Sequence, residues 1–236
     1  MSTMQPSTTL YDTSAYPYRR KPAPSFLHAP FAGATYRELG YLLTAFPIAT
    51  AAFVAAVTLL SVGAGLLVTV LGLPVLGLLL ASARGFGAVE RLRARTLLDM
   101  EVPAPAPVRP RRPGFWGAVT ARLADGPGWR AVTYQLVVFP WAVFSFVTSV
   151  VFLSVGWAAA LYPAYHWAIA RFTPWPGLQL FDFSNETGVH RYYLSSPWQI
   201  AGFSALGLLM VFLSPLLLRA LTSVHRLAVR LLLGAL

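Results

Sequence analysis

Three stretches of this sequence contain no ionisable side chain, and they constrain the fold more than any other feature. Residues 39–82, 132–165 and 197–218 lack Asp, Glu, Lys, Arg and His. A helix needs about 20 mostly apolar residues to cross the hydrocarbon core of a bilayer. The first stretch is therefore long enough for two spans, and each of the others for one. Charged residues make up only 11% of the chain, against about 25% in soluble domains, so we expect lipid to solvate much of its surface.

The fold class that follows is an all-α membrane protein with four transmembrane helices. The glycines within residues 61–65 predict a tight turn, because glycine readily adopts positive φ values. Helix 1 is then expected over about 39–62 and helix 2 over about 65–83. With two further spans downstream, the four helices form two tandem helical hairpins.

Residues 84–98 differ in character and predict an amphipathic helix at the membrane surface. At helical spacing the segment divides into two faces: Phe86, Val89 and Leu92 against Glu90, Arg91, Arg93 and Arg95. An apolar face toward lipid and a basic face toward water is typical of juxtamembrane helices.

An internal repeat connects the two halves of the chain. At a spacing of 93 residues, Tyr41 corresponds to Tyr134 and the Phe-Pro pair at 46–47 to the pair at 139–140. At a spacing of 135 residues, the segment 89–98 corresponds to 224–233. Such a repeat predicts two copies of one hairpin, related by an axis along the membrane normal. The change of spacing indicates an insertion in the second copy, at about 156–198.

The repeat defines four regions. Residues 1–34 are polar and predicted to form a disordered cytoplasmic tail, and residues 35–100 form the first repeat. A Pro- and Arg-rich linker at 101–114 cannot pack a core, because proline favours extended backbone. Residues 115–236 form the second repeat, including the insertion.

Basic residues predict the orientation in the membrane. Of the 18 Lys and Arg residues, all but Arg171 and Arg191 lie in the two ends or the middle loop. Because basic loops stay in the cytoplasm, we expect a multi-pass plasma membrane protein with both termini inside and the insertion outside. Five side chains are predicted to contact anionic lipid headgroups: Arg91, Arg93, Arg95, Arg226 and Arg230. Nucleic-acid binding is not expected, because no soluble basic platform with interleaved aromatic residues is seen.

The order of these motifs, from YRELGYLL through SVGAGLLVTVLGLP to ERLRARTLL, resembles the sensor domain of actinobacterial two-component histidine kinases. The resemblance implies a module that senses something at the outer face or in the bilayer and signals through its cytoplasmic helices. It also implies a separate partner, such as a histidine kinase in trans, since the sequence to Leu236 contains no kinase core. The module could also associate with copies of itself. Two alternatives stay open: a small transporter or permease subunit, and a membrane assembly factor.

Four side chains of the insertion are candidates for sensing. His166 follows helix 3 and could respond to pH, although an ordinary interfacial histidine explains it as well. Asp182, Glu186 and His190 recur every four residues and would share a face of a helix, where they could bind a cation or protons. Turn-forming residues between them favour a solvated loop instead.

The repeated Phe46-Pro47 and Phe139-Pro140 are candidate hinges, or static kinks of the kind common in membrane helices. His225 corresponds to Glu90 and is predicted to be a polar residue of an interfacial helix rather than a phosphoacceptor.

No catalytic or cofactor motif is present, so we expect neither an enzyme nor a cofactor or metal. The spans themselves are expected to hold no ionisable group, which weighs against ion-coupled transport.

Overall fold

The computed structural model describes residues 32–110, 112–172, 178–185, 188–194 and 196–234. Its long helices are α1 (Gly33–Gly65), α2 (Gly72–Leu98), α4 (Gly126–Ala160) and α6 (Pro197–Ala228), which continues as a π-helical segment, Val229–Leu233. The shorter elements are α3 (Phe115–Leu123), α5 (Tyr162–Phe172) and the strands β1 (Leu178–Asn185) and β2 (Gly188–Leu194). Within these described ranges, four helices are long and apolar enough to cross a membrane, as predicted.

The four long helices form one bundle. α1 packs along α2, α4 packs along α6, and α1 and α4 contact each other at the centre. α3 lies against α2, and α5 lies against α6. The outward faces carry exposed apolar side chains such as Val54, Leu78, Phe144 and Leu208. An exposed apolar surface of this extent fits contact with lipid.

The turn between α1 and α2 lies later than predicted. α1 continues to Gly65, a 3-10 turn covers Leu66–Val68, and α2 begins at Gly72. The buried Gly63 brings the two helices together, since an added Cβ would lie 2.7 Å from Cδ2 of Leu76. Gly63 therefore serves close helix packing, and neither Gly63 nor Gly65 has a positive φ.

The predicted juxtamembrane helix is not a separate element, because α2 runs without a break to Leu98. It ends where Asp99 adopts a positive φ of 50°. Val89 and Leu92 are exposed, as an outward apolar face requires. Glu90 and Arg93, which were predicted to face water, are instead buried in the bundle. The four long helices extend past the uncharged stretches, and Glu90 and Arg93 lie in such an extension. The expectation that the spans themselves hold no ionisable group stays a prediction.

Aromatic contacts at the centre of the bundle follow the predicted repeat. The ring of Phe46 in α1 stacks on Phe146 in α4, with 4.7 Å between centroids. Phe53 in α1 stacks on Phe139 in α4 at 4.2 Å. Each residue of the first pair corresponds to a residue of the second at a spacing of 93. Reciprocal contacts of this kind are what a twofold axis between the two halves would produce. The repeat itself stays a prediction.

Arginine contacts also correspond between the two halves of the chain. Arg37 of α1 donates to the carbonyl of Thr96 at 2.8 Å, and Arg130 of α4 donates to the carbonyl of Leu231 at 2.8 Å. The donors, Arg37 and Arg130, correspond at the repeat spacing of 93 residues, and the acceptors, Thr96 and Leu231, correspond at the spacing of 135 residues. Both bonds tie the start of one helix to the end of its hairpin partner. We call this end of the bundle, marked by Arg37, Arg84, Arg91, Arg95, Arg130, Arg226 and Arg230, the arginine end.

The insertion contains α5 and an antiparallel hairpin of β1 and β2. In the register of this hairpin, Asp182 lies opposite Arg191 and His190 lies opposite Phe183. β1 ends at Asn185 and β2 begins at Gly188, and the sequence predicted a turn at these residues.

Candidate functional site

A group of buried polar side chains lies between the four long helices near the arginine end. We call it the polar cluster, and it consists of Tyr41 from α1, Glu90 and Arg93 from α2, Tyr134 and Gln135 from α4, and His225 from α6. Glu90, Arg93 and His225 are 6%, 8% and 1% exposed. Ionisable groups are costly at such positions, so buried ones in a membrane bundle indicate a functional site.

An ion pair forms the centre of the polar cluster. Arg93 Nη1 lies 2.5 Å from Glu90 Oε2, one helical turn away on α2. Arg93 also donates to the carbonyl of Tyr41 at 2.7 Å and to the hydroxyl of Thr44 at 2.9 Å. The Tyr41 hydroxyl donates to Glu90, and the Arg93 guanidinium lies 4.6 Å from the centroid of the Tyr41 ring. Both charges are therefore compensated, and the pair joins α1 to α2.

The other hairpin reaches the cluster through α4 and α6. His225 packs edge-on against the Tyr41 ring at 5.5 Å, and its Nε2 lies 3.3 Å from the hydroxyl of Ser145. Gln135 donates to the carbonyl of Ala83 at 3.3 Å. The Tyr134 hydroxyl lies beside Glu90, without a well-directed hydrogen bond. Side chains from all four long helices thus meet at one place.

A small cavity lies inside the polar cluster. Its volume is about 20 Å³, and its lining includes Glu90, Arg93, Tyr134, Gln135 and His225. Within the described part of the chain, Arg93 Nε and His225 Nδ1 have no hydrogen-bond partner. A cavity of this size accommodates about one water molecule, and these atoms would supply partners for it. The arrangement can therefore change its hydrogen bonding without a large movement of the backbone.

The match to a known family spans this whole arrangement. A family model described as "Putative sensor" matches residues 41–233. The chain belongs to this family. The matched region begins at Tyr41 of the polar cluster and ends at Leu233 in the last helical turn, so the sensor region contains the bundle and its cluster. No curated protein and no solved structure matches the chain.

Of the four candidate hinge residues, the two phenylalanines lie at the contact between α1 and α4. Phe46 and Phe139 both contribute to the stacked pairs, whereas Pro47 and Pro140 lie within their helices and are exposed. The aromatic residues thus have a packing role, and the hinge stays a prediction.

The structure places the candidate sensing residues on different elements of the insertion. Asp182 is on β1 and His190 on β2, so they do not share a helical face, and Glu186 lies outside the described residues. His166 is in α5, where its Nδ1 donates to the carbonyl of Pro163 at 3.0 Å. A sensing role for these residues stays a prediction.

The five predicted lipid-contacting arginines divide into two groups. Arg95 and Arg230 are exposed, and Arg91 and Arg226 are partly buried at the arginine end. Arg93 differs from these four, because it is buried and its ion pair with Glu90 holds it inside the bundle rather than on its surface.

The polar cluster was not predicted from the sequence, although the repeat contained the signal for it. His225 is buried against Tyr41 rather than lying at an interface, which corrects its predicted place. Tyr41 corresponds to Tyr134, and Glu90 corresponds to His225. In a bundle with a twofold axis, corresponding polar residues near the axis lie close together, so these two pairs could have been combined into one site.

Proposed function

We propose that this chain is a sensor module of the plasma membrane, with its arginine end in the cytoplasm. A stimulus at the outer face or in the bilayer would shift the four helices relative to one another. The ends of α2 and α6 would then transmit this movement to the cytoplasm. Family membership supports the sensing role, and the basic residues gathered at one end of the bundle support the orientation.

The observation that carries this proposal is that all four long helices contribute to the polar cluster. A displacement of α4 or α6 alters the surroundings of Glu90 and Arg93, which lie about two turns and one and a half turns before the end of α2 at Leu98. Away from the cluster, the seam between the helices is filled by small buried side chains such as Ala56, Ala142 and Ser149. Packing of this kind supports a sensor more than a transport pathway.

The partner is proposed to be a signalling protein supplied by another chain, with a histidine kinase as the first candidate because of the resemblance. It would contact the exposed surface of the arginine end, including Arg95 and Arg230. Family membership also fits a role without catalysis by this chain itself.

Orientation is tested by cysteine labelling, which is simple because the chain contains no cysteine. Arg95→Cys at the arginine end should react with a membrane-impermeant maleimide only after the cells are permeabilised. Leu161→Cys, exposed at the far end of α4, should react in intact cells. Equal labelling of both positions in intact cells would refute the orientation.

The signalling role is tested by photocrosslinking in native membranes. A benzophenone amino acid at Arg95 or Arg230 should capture a signalling protein, whereas the same group at the lipid-facing Val54 or Leu208 should not. Tyr41→Phe removes the hydroxyl that bonds Glu90 and should change the yield of the crosslink while the chain still folds. Capture of no signalling protein at the arginine end, or equal capture at the control positions, would contradict the proposal.

A further inference from the structure

A second cavity lies at the arginine end, where α2, the linker, the start of α4 and the last helical turn meet. Its volume is about 280 Å³, slightly below the range of about 300–1,000 Å³ for drug-sized ligands. Arg84, Arg91 and Arg130 line it, and the described lining residues include no acidic side chain. The cavity is thus large enough to hold a small polar group, and its lining is positively charged.

The charge of these three arginines is only partly compensated. Arg84 binds Asp125 through two hydrogen bonds of 2.6 and 2.8 Å. Arg130 donates to the carbonyls of Leu231 and Gly234, which carry no net charge. Arg91 lies two turns after Arg84 on the same face of α2 and is repelled by it. Within the described residues Arg91 has no acidic partner, so the cavity keeps a net positive charge.

The other half of the bundle provides a comparison. At the spacings of the repeat, Arg84 and Arg91 correspond to Arg219 and Arg226. In that half, Glu38 of α1 lies among the arginines. Its Oε1 is 3.3 Å from Arg226 Nη2, and Arg219 also acts on its carboxylate. The arginines of that half are therefore compensated by a carboxylate of the chain itself.

The residue that corresponds to Glu38 is Ala131, and Ala131 lines the cavity. Where one half of the molecule holds a carboxylate among its arginines, the other half holds a methyl group and open space. We propose that this cavity is a binding site for a phosphate group, held by Arg84, Arg91 and Arg130. The proposal goes beyond the sensing role and does not depend on which stimulus is sensed.

A phosphate group suits the chemistry of this site. Arginine binds phosphate oxygens through paired N–H groups, and three arginines surround the cavity. Pro127 and Arg130 place the first turn of α4 at the cavity wall, where the helix dipole is positive and favours an anion. The phosphate could belong to an anionic lipid headgroup or to a soluble phosphate compound.

The two sources are separated by binding measurements on the full chain in a non-ionic detergent. Native mass spectrometry with phosphatidylglycerol tests the lipid, with phosphatidylcholine as its zwitterionic control, and calorimetric titration with inorganic phosphate tests the soluble anion. We expect one phosphate group bound per chain. Binding of phosphatidylglycerol above phosphatidylcholine identifies a lipid headgroup, and saturation by inorganic phosphate identifies a soluble ligand. Binding of neither probe overturns the proposal.

Two substitutions give one half of the molecule the residue that the other half has at the corresponding position. Ala131→Glu supplies the carboxylate that Glu38 supplies in the other half, and it should weaken binding at least about tenfold. Glu38→Ala should create a second site and raise the number of bound phosphate groups to two. Unchanged affinity in Ala131→Glu, or one bound group in Glu38→Ala, would contradict the site.

Thermal unfolding of each variant in detergent establishes that it is folded. If Ala131→Glu does not fold, Arg91→Gln gives the same test, since it removes the arginine without an acidic partner while leaving the Arg84–Asp125 pair in place. Binding by folded Arg91→Gln with the affinity of the original chain would overturn the proposal.

Discussion

Arg93→Ala is expected to lower the free energy of unfolding by about 3–5 kcal/mol, the cost of breaking a buried ion pair from one side. The substitution leaves Glu90 charged and buried, with the Tyr41 hydroxyl as its remaining donor. It also removes the bonds from Arg93 to the carbonyl of Tyr41 and the hydroxyl of Thr44. Unfolding of the purified chain in detergent, followed by circular dichroism or by steric trapping in bicelles, measures the effect.

Arg95→Ala is the matched control. It removes an arginine two positions away on the same helix, but Arg95 is exposed, so we expect a change within about 0.5 kcal/mol. Replacing both members of the pair, as Glu90→Leu with Arg93→Met, should recover much of the lost stability, because no uncompensated charge remains. If Arg93→Ala is as stable as the control, the pair does not hold the bundle together.

Gly207→Ala is expected to destabilise the second hairpin by about 1–3 kcal/mol, the usual cost of overpacking a tight contact. An added Cβ at Gly207 would lie 2.2 Å from the backbone nitrogen of Ala160. Because the obstacle is main chain, α4 and α6 must move apart to relieve it. Thermal unfolding in detergent measures the loss, and disulfide formation between cysteines placed on α4 and α6 reports the separation.

Gly202→Ala is the control for this effect. It lies in the same helix, one and a half turns earlier, and an added Cβ there meets nothing within 4 Å. Alanine has the higher helix propensity, by about 1 kcal/mol, so Gly202→Ala should be as stable as the original chain or more so. Equal destabilisation by both substitutions would mean that backbone conformation, rather than the contact with α4, sets the effect.

The spans could be predicted from the sequence because lipid imposes a simple rule on composition. Residues 39–82 are too long for one span and lack charge, so two helices were expected and two are present. The turn between them was placed too early, because a glycine can serve either a turn or a close helix contact. Gly63 serves the contact with Leu76, and the local sequence does not distinguish these roles.

The polar cluster was harder to predict, for a reason that lies in α2 itself. An amphipathic pattern assigns polar residues to water, and in a soluble protein Glu90 and Arg93 would follow it. In a bundle surrounded by lipid, the apolar face turns outward, as Val89 and Leu92 do, and polar residues can turn toward the other helices. The pattern of α2 alone does not place Glu90 or Arg93, because their partner Tyr41 lies on another helix.

The reciprocal stacking of Phe46 on Phe146 and Phe53 on Phe139 has one more consequence. Two identical subunits facing each other in this way must present the same amino acid on both sides of their axis, so any change made on one side is made on the other as well. A single polypeptide is free of that restriction. It can keep tyrosine at two corresponding positions, Tyr41 and Tyr134, and still have an acid, Glu90, where the other half has an imidazole, His225. The two halves then share one backbone arrangement but differ in chemistry.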